Sequence, residues 1–343
     1  MWKQTLLGVA VSVAAVYLFL KAAPPAQMVS AFGQMHLIYL LPCAAAYLLT
    51  FVFRALRWHY LMRPLARVPF RPLYATLMVG FLGNNLLPAH LGEVVRAIVL
   101  GRLTKVPKSA VFATVVLERV YDGLTVLLML LVVLTFMDLP LEGGMLNAHT
   151  LREAGWWGLA LFGGLMMVLQ FFRWKREASL KVCAWCLRPL PTTLGDKILS
   201  AVDTFADGLA MSRARDIVWV AVYSLLVWGG LALWAWSLFP AFGLHLPLLA
   251  GVLLEVVVSL ALLIPSAPAF VGTFHLAAAA TLSFMGANGG VAGSYAMALW
   301  MVHFVISTLV GLYYLWKLDL GWKAFSWREP AVAAEVVAPE QDS

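Results

Sequence analysis

The stretch Gly83–Arg96 reads GNNLLPAHLGEVVR, and its counterpart Pro265–His275 reads PSAPAFVGTFH. The first sets two Asn, a Pro, a His, a Glu and an Arg inside a chain that is 62% hydrophobic. Polar groups at membrane depth are costly, so such a stretch points to a functional site. Aligned at the spacing between Pro88 and Pro268, 180 residues, Pro88-Ala89-x-x-Gly92 falls on Pro268-Ala269-x-x-Gly272. Two matching interrupted segments in one apolar chain are the mark of a transporter-like architecture, with the site where the segments meet.

Composition agrees with that class. The 343 residues have a mean hydropathy of +0.87 and only 12% charged residues, which is membrane composition. Seventeen Pro and 26 Gly exceed what plain helices tolerate, so broken or re-entrant segments are expected. The net charge of +7 does not argue for nucleic acid, because the basic residues lie in loops between apolar runs, where they set topology. Cys183 and Cys186 form a lone CxxC and Cys43 lies in an apolar run. With no second CxxC and no nearby His, no metal or cofactor site is expected there.

Six runs are long enough to cross the hydrocarbon layer: Thr5–Leu20, Leu37–Phe53, Ala110–Met137, Gly155–Phe172, Ile217–Phe239 and Val291–Trp316. The first also resembles a signal peptide; its length and the following Pro24-Pro25 favour a retained helix. Pro72–Leu87 with Ala89–Gly101, and Leu246–Ile264 with Pro268–Phe284, read as two hairpins. Basic residues cluster after span two (Arg54, Arg57, Arg63, Arg67, Arg71), before span three, between spans four and five, and after span six. The positive-inside rule then makes both termini cytoplasmic, in a multi-pass inner-membrane protein.

The offset extends beyond the tips. Span two maps into span five and span three onto span six, so helix, hairpin, helix occurs twice in opposite orientation. The expected fold is an all-α polytopic membrane protein with six full spans and two re-entrant helical hairpins in an inverted repeat. The segments are 1–36 (first span and loop), 37–137 (repeat one), 138–216 (linking span and a cytoplasmic amphipathic segment), 217–317 (repeat two) and 318–343 (a cytoplasmic tail of disordered composition). Within the linking segment Leu194, Ile198, Val202, Phe205 and Leu209 recur at helical spacing.

The charges at depth are the candidate site. Glu93 and Arg96 share a helix face. Glu118, Arg119 and Asp122 sit on span three, with Glu118 about 12 Å along the axis from Ala110 at 1.5 Å per residue. Five such groups, at ~2.5–3.5 kcal/mol each, must meet one another, a wet cavity or a charged substrate. A purely structural ion-pair network is the plain alternative. Asn84 and Asn85 can satisfy freed backbone at the tip or touch substrate. Gly92 and Gly272 fit a close backbone approach or a sharp turn. The helix start after Pro88, with Arg96 and Arg119, suits a phosphate or carboxylate. His275 adds a group that titrates near neutral pH. Glu255 and His303, taken alone, read as structural.

Asn84-Asn85-x-x-Pro88-x-x-x-Gly92-Glu93-x-x-Arg96, Glu118-Arg119-x-x-Asp122-Gly123 and Pro265–His275 together resemble three signatures of the lysylphosphatidylglycerol synthase transmembrane family, also called flippase-like integral membrane proteins. The likeness runs from about Leu37 to Trp316. It implies movement of lipids or lipid-linked groups between leaflets. The third stretch departs from the family pattern, which favours an acidic residue where His275 stands and glycine at Ala269. The resemblance implies no lysyl transfer by this chain. The expected function is a lipid flippase-like transporter of an anionic phospholipid or a polyprenyl-phosphate-linked lipid, and not an enzyme. Its expected site is Asn84, Asn85, Pro88, Gly92, Glu93, Arg96, Glu118, Arg119, Asp122, Pro268, Gly272 and His275. A membrane enzyme on a lipid-linked substrate and a non-transporting partner protein are the alternatives, and a homo-oligomer stays open.

Overall fold

The computed structural model of the protein describes residues 2–87, 90–137, 148–187, 192–208 and 214–320. Among these residues all regular structure is helical. In chain order the helices are α1 (Trp2–Ala22), α2 (Pro25–Gly33), α3 (Leu40–Met62), α4 (Phe70–Leu86), α5 (Gly92–Thr104), α6 (Lys108–Phe136), α7 (Ala148–Trp174), α8 (Arg176–Leu187), α9 (Thr192–Gly208), α10 (Ala214–Leu238), α11 (Leu248–Ala261), α12 (Thr273–Phe284) and α13 (Gly289–Lys317). Proline marks many of the starts: Pro25 opens α2, while Pro69, Pro107 and Pro247 precede α4, α6 and α11. A helix's first turn has no acceptor for the missing N–H, so proline is tolerated there.

Among the described residues four helices are long and apolar enough to cross a membrane: Leu37–Met62, Lys108–Phe136, Arg215–Phe242 and Gly289–Lys317. α1 and α2 form a further pair bent by 68°. The expected span Gly155–Phe172 falls inside α7, which has 27 residues. The stretch Ala89–Gly101 is α5 in large part, and α11 and α12 are short apolar helices.

One expectation is overturned. The sequence reading ends span two at Phe53 and puts Arg54 and Arg57 in a cytoplasmic loop. α3 instead continues to Met62, and both arginines are buried. Apolar Ala55, Trp58, Leu61 and Met62 are also buried, so the helix keeps gaining packing energy beyond the first charge.

α3 and α10 pack antiparallel along their whole length. Tyr47 lies against Trp234 with ring centroids 4.7 Å apart. Next, a Cβ on Gly230 would stand 3.0 Å from the Thr50 methyl. Then Arg57 bonds Ser224 at 3.1 Å, Tyr60 stacks on Trp219, and Arg63 pairs with Asp216 at 2.8 Å. The remaining packing exchanges partners. α4 lies against α13 and α11 against α6, while α5 lies against α6 and α12 against α13. The α4–α13 approach is close because residue 311 is glycine: a Cβ there would come within 2.6 Å of the Leu82 Cβ.

The largest apolar cluster runs through α3 and α10 to α13 and holds Phe51, Trp234, Leu254, Leu282 and Tyr295. A second cluster joins Trp58, Leu61 and Met62 to Leu100 and Val111, with Phe205 of α9 against it. This seats the amphipathic segment as α9. On its open side Arg176 bonds Asp203 at 2.6 Å and Asp207 at 2.8 Å. Leu209 and the tail from Ser326 lie outside the described residues.

Candidate functional site

Both hairpin tips break the helix with left-handed backbone. α4 ends at Leu86, Leu87 is extended, and His90 has φ +57°. At the other tip Ala269, Phe270 and Gly272 have φ of +55°, +59° and +90°. Left-handed non-glycine residues cost about 1–3 kcal/mol each and persist where surrounding structure holds them. Here the surroundings are each other: the His90 and Phe270 rings lie 5.1 Å apart, centroid to centroid.

Beneath the first tip is a charge cluster. α4 and α5 run antiparallel and almost touch, because Gly80 and Gly92 face each other. A Cβ on Gly92 would overlap the Gly80 carbonyl oxygen and stand 2.5 Å from Asn84 Oδ1. This approach carries Arg96 inward, where its guanidinium lies 4.0 Å over the Trp58 ring. Arg96 donates to Glu118 at 2.5 Å and to Glu93 at 3.3 Å. Arg57, from α3, donates to Glu118 at 2.9 Å and to Asp122 at 2.6 Å. Arg119 lies 3.4 Å from Glu118, 3.2 Å from Asp122 and 3.7 Å from Glu93. Trp228 of α10 adds an indole N–H to Asp122 at 2.9 Å.

Three carboxylates therefore meet three guanidiniums. The sequence reading, with Arg57 left in a loop, counts one acid too many. Full pairing is what makes the burial tolerable, since one unpaired buried ion costs several kcal/mol. Arg57 and Glu118 are completely enclosed, whereas the Arg119 side chain is 45% exposed. The cluster has an inner part that fixes helices and an outer part that faces open space.

That space is a cavity of about 430 Å³. Asn84, Asn85, His90, Glu93, Arg119 and Asp122 line it. Tyr47, Arg54, Glu255 and His303 line it as well, and Val126, Leu127, Phe162, Leu260 and Leu263 give it an apolar flank. Asn85 donates to Ser307 at 2.8 Å and Thr308 at 3.0 Å, tying the first tip to α13. Asn84 Oδ1 is buried without a hydrogen-bond partner. Gly123 admits Phe162: a Cβ there would overlap the Phe162 ring.

Of the residues singled out by sequence, Asn84, Asn85, Glu93, Arg119 and Asp122 reach the cavity. Arg96 and Glu118 support it from beneath, and Gly92 sets the hairpin's closeness. Pro88 lies outside the described residues. Pro268, Gly272 and His275 are not in the lining. The Gly272 backbone lies against α1, where a Cβ would stand 2.6 Å from the Ser12 carbonyl oxygen. The His275 ring lies 4.9 Å from Trp300 and 5.5 Å from Phe19, and its Nδ1 accepts the Gly272 N–H at 3.3 Å. It caps α12 behind the tip.

Sequence reasoning passed over Tyr47, left Arg54 and Arg57 in a loop, and read Glu255 and His303 as structural. Tyr47 hydroxyl and His303 Nδ1 are hydrogen-bonded across α3 and α13. Arg54 lies over the Phe81 ring and has no carboxylate at ion-pair distance among the described residues. The one available signal was spacing: Arg54 and Arg57 are three apart on a helix whose apolar pattern continues past them.

Comparison with known sequences decides the family. The profile of the lysylphosphatidylglycerol synthase TM region matches residues 5–311. The chain belongs to that family. This member is 23% identical over 306 residues to a UPF0104 membrane protein of Methanothermobacter thermautotrophicus, covering 84% of this chain and 88% of the relative. It is 28% identical over 149 residues to the glycosyltransferase AglD of Haloferax volcanii, covering 43% of this chain but 24% of that protein. No solved structure matches the chain. The family match includes both hairpins, the charge cluster and the whole cavity lining.

Proposed function

We propose that this family member moves an anionic lipid, a phospholipid or a polyprenyl-phosphate-linked lipid, between the leaflets of the cell membrane. The observation that carries the reading is the mixed cavity lining: charged and amide groups, apolar side chains, and His90 and Phe270 from the two hairpin tips. A headgroup with a phosphate suits Arg119 and Arg54, the two cavity arginines, with amide donors from Asn84 and Asn85. The chains of the lipid suit the flank of Val126, Leu127, Phe162, Leu260 and Leu263. Arg57 and Arg96 serve as framework. In this reading the two helix–hairpin–helix units form an inverted repeat of re-entrant hairpins, with six crossings and both termini cytoplasmic. The antiparallel α3–α10 pair and the exchanged hairpin packing support it. The protein works without covalent chemistry.

Reconstitution tests this. Purified protein in liposomes should accelerate exchange of a fluorescent phosphatidylglycerol between leaflets, and Arg119→Ala should stop it while the protein stays folded. Unchanged exchange in Arg119→Ala rejects the assigned role. The partial match to a glycosyltransferase favours one second reading, a membrane enzyme acting on a lipid-linked substrate. A covalently altered lipid in the same vesicles, seen by mass spectrometry, selects it.

A further inference from the structure

The charge cluster is balanced within itself, but the cavity lining also holds a carboxyl group with no such partner. Glu255, on α11, is 4% exposed, lines the cavity, and has a buried Oε1 without a hydrogen-bond partner. It forms no ion pair among the described residues, and Arg54, which also lines the cavity, is the cation whose charge acts on it. Arg54 likewise has no carboxylate at pairing distance among the described residues. The groups that face Glu255 come from each element around it. α3 brings Cys43, Tyr47 and Arg54; α13 brings Tyr295 and His303; α6 brings Arg119 and Asp122 across the cavity; α10 brings Trp228 and Trp234. α12 brings Phe274, its His275 facing α1 and Trp300 instead.

We propose that Glu255 is a proton-binding site of the cavity, taking up a proton when an anionic headgroup occupies Arg54. It rests on the reading that the cavity holds such a headgroup. With the cluster balanced within itself, an ionised Glu255 and the Arg54 guanidinium leave the cavity lining without net charge. A phosphate monoanion beside Arg54 adds one negative charge to a space walled by low-dielectric side chains, where uncompensated charge is expensive. An O–H bond formed between Glu255 and a proton from water restores neutrality, and no electrons move. Tyr47 and His303 continue the polar wall beside it, with His303 Nε2 buried and unpartnered. The cluster residues cannot serve in place of Glu255, because each of their carboxylates is held by two or more arginines.

Infrared difference spectroscopy on the full chain in nanodiscs tests this. The protonated-carboxyl band should change with pH, be lost in Glu255→Gln, and return shifted in Glu255→Asp. It should be stronger in phosphatidylglycerol nanodiscs than in phosphatidylcholine ones at the same pH. No band sensitive to Glu255→Gln, or one equal in the two lipids, overturns the proposal. Leaflet exchange of fluorescent phosphatidylglycerol, measured alongside, separates the two claims. Exchange without the band change removes only the proton site; the band change without exchange removes the flippase reading.

Discussion

His90 and Phe270 meet ring to ring, 5.1 Å between centroids, at matching positions of the two Pro-Ala-x-x-Gly stretches. Each has a left-handed backbone, φ +57° and +59°. The contact joins the tips at the edge of the cavity. If transport needs the tips to part, locking them stops it. His90→Cys with Phe270→Cys, cross-linked by a short bis-methanethiosulfonate, should abolish leaflet exchange, and reduction of the two disulfides so formed should restore it. Full exchange in the cross-linked protein would sink the idea. Cys43, Cys183 and Cys186 are replaced by Ser beforehand.

Arg57 is the cation that no loop reading could place. Arg57→Met leaves Glu118 and Asp122 short of a buried partner and should destabilise by about 3–5 kcal/mol. The double change Arg57→Met with Glu118→Met should cost less than the sum of the two single changes. Denaturation of the detergent-solubilised variants measures both, and strict additivity contradicts the assigned pairing.

Gly92 faces the Gly80 carbonyl with no room for a methyl group. Gly92→Ala should push α5 from α4 and displace Arg96, lowering stability by at least 2 kcal/mol, in the range of overpacked cores. Gly33→Ala is the control, since a Cβ there meets nothing within 4 Å. Melting temperatures of the pair report the difference.

Arg54 and Arg119 face the cavity, and only Arg119 is tied to acids. Arg54→Gln should therefore reduce exchange of anionic lipid at least tenfold, about 1.4 kcal/mol in the barrier, with little change in melting temperature. Equal exchange by wild type and variant would move the phosphate site elsewhere.

On the surface, Arg176 holds the Asp203 carboxyl below the usual carboxylate range through a direct hydrogen bond. A depressed carboxylate adds stability above its unfolded value, and this is lost as pH falls through the folded one. Both side chains are more than 40% exposed, so screening leaves only ~0–1 kcal/mol. Asp203→Asn should barely shift the melting temperature at neutral pH. A large drop would mean that α8 and α9 depend on this pair.

Much of the site was legible because its charges stand where apolar residues belong. Glu93, Arg96, Glu118, Arg119 and Asp122 interrupt hydrophobic runs, and their spacing gave shared faces. Arg54 and Arg57 were misread because an arginine after an apolar run looks the same whether the helix stops or goes on. The outcome depends on Trp58, Leu61 and Met62 finding partners on α5 and α6, and such partners leave no local trace. Gly272 and His275 show the reverse error. Their match to the first tip is real in sequence, but α1 packs over the second tip, whereas Gly92 lies against Gly80 and Asn84 of its own hairpin. The charges also sit almost wholly on α3, α5 and α6, while the positions of α12 and α13 that correspond to Glu93, Arg96, Glu118, Arg119 and Asp122 hold Thr273, Leu276, Ala298, Leu299 and Val302. A repeat argument therefore transfers backbone shape better than chemistry.

The antiparallel α3–α10 pair has a mechanical consequence. Its contacts continue on both sides of Thr50 and Gly230, where only a methyl group fills the gap. A close approach of that kind within a crossing pair of rods is a natural fulcrum. Tilting one rod about it moves the two ends in opposite senses, so width lost on one side of the molecule is gained on the other.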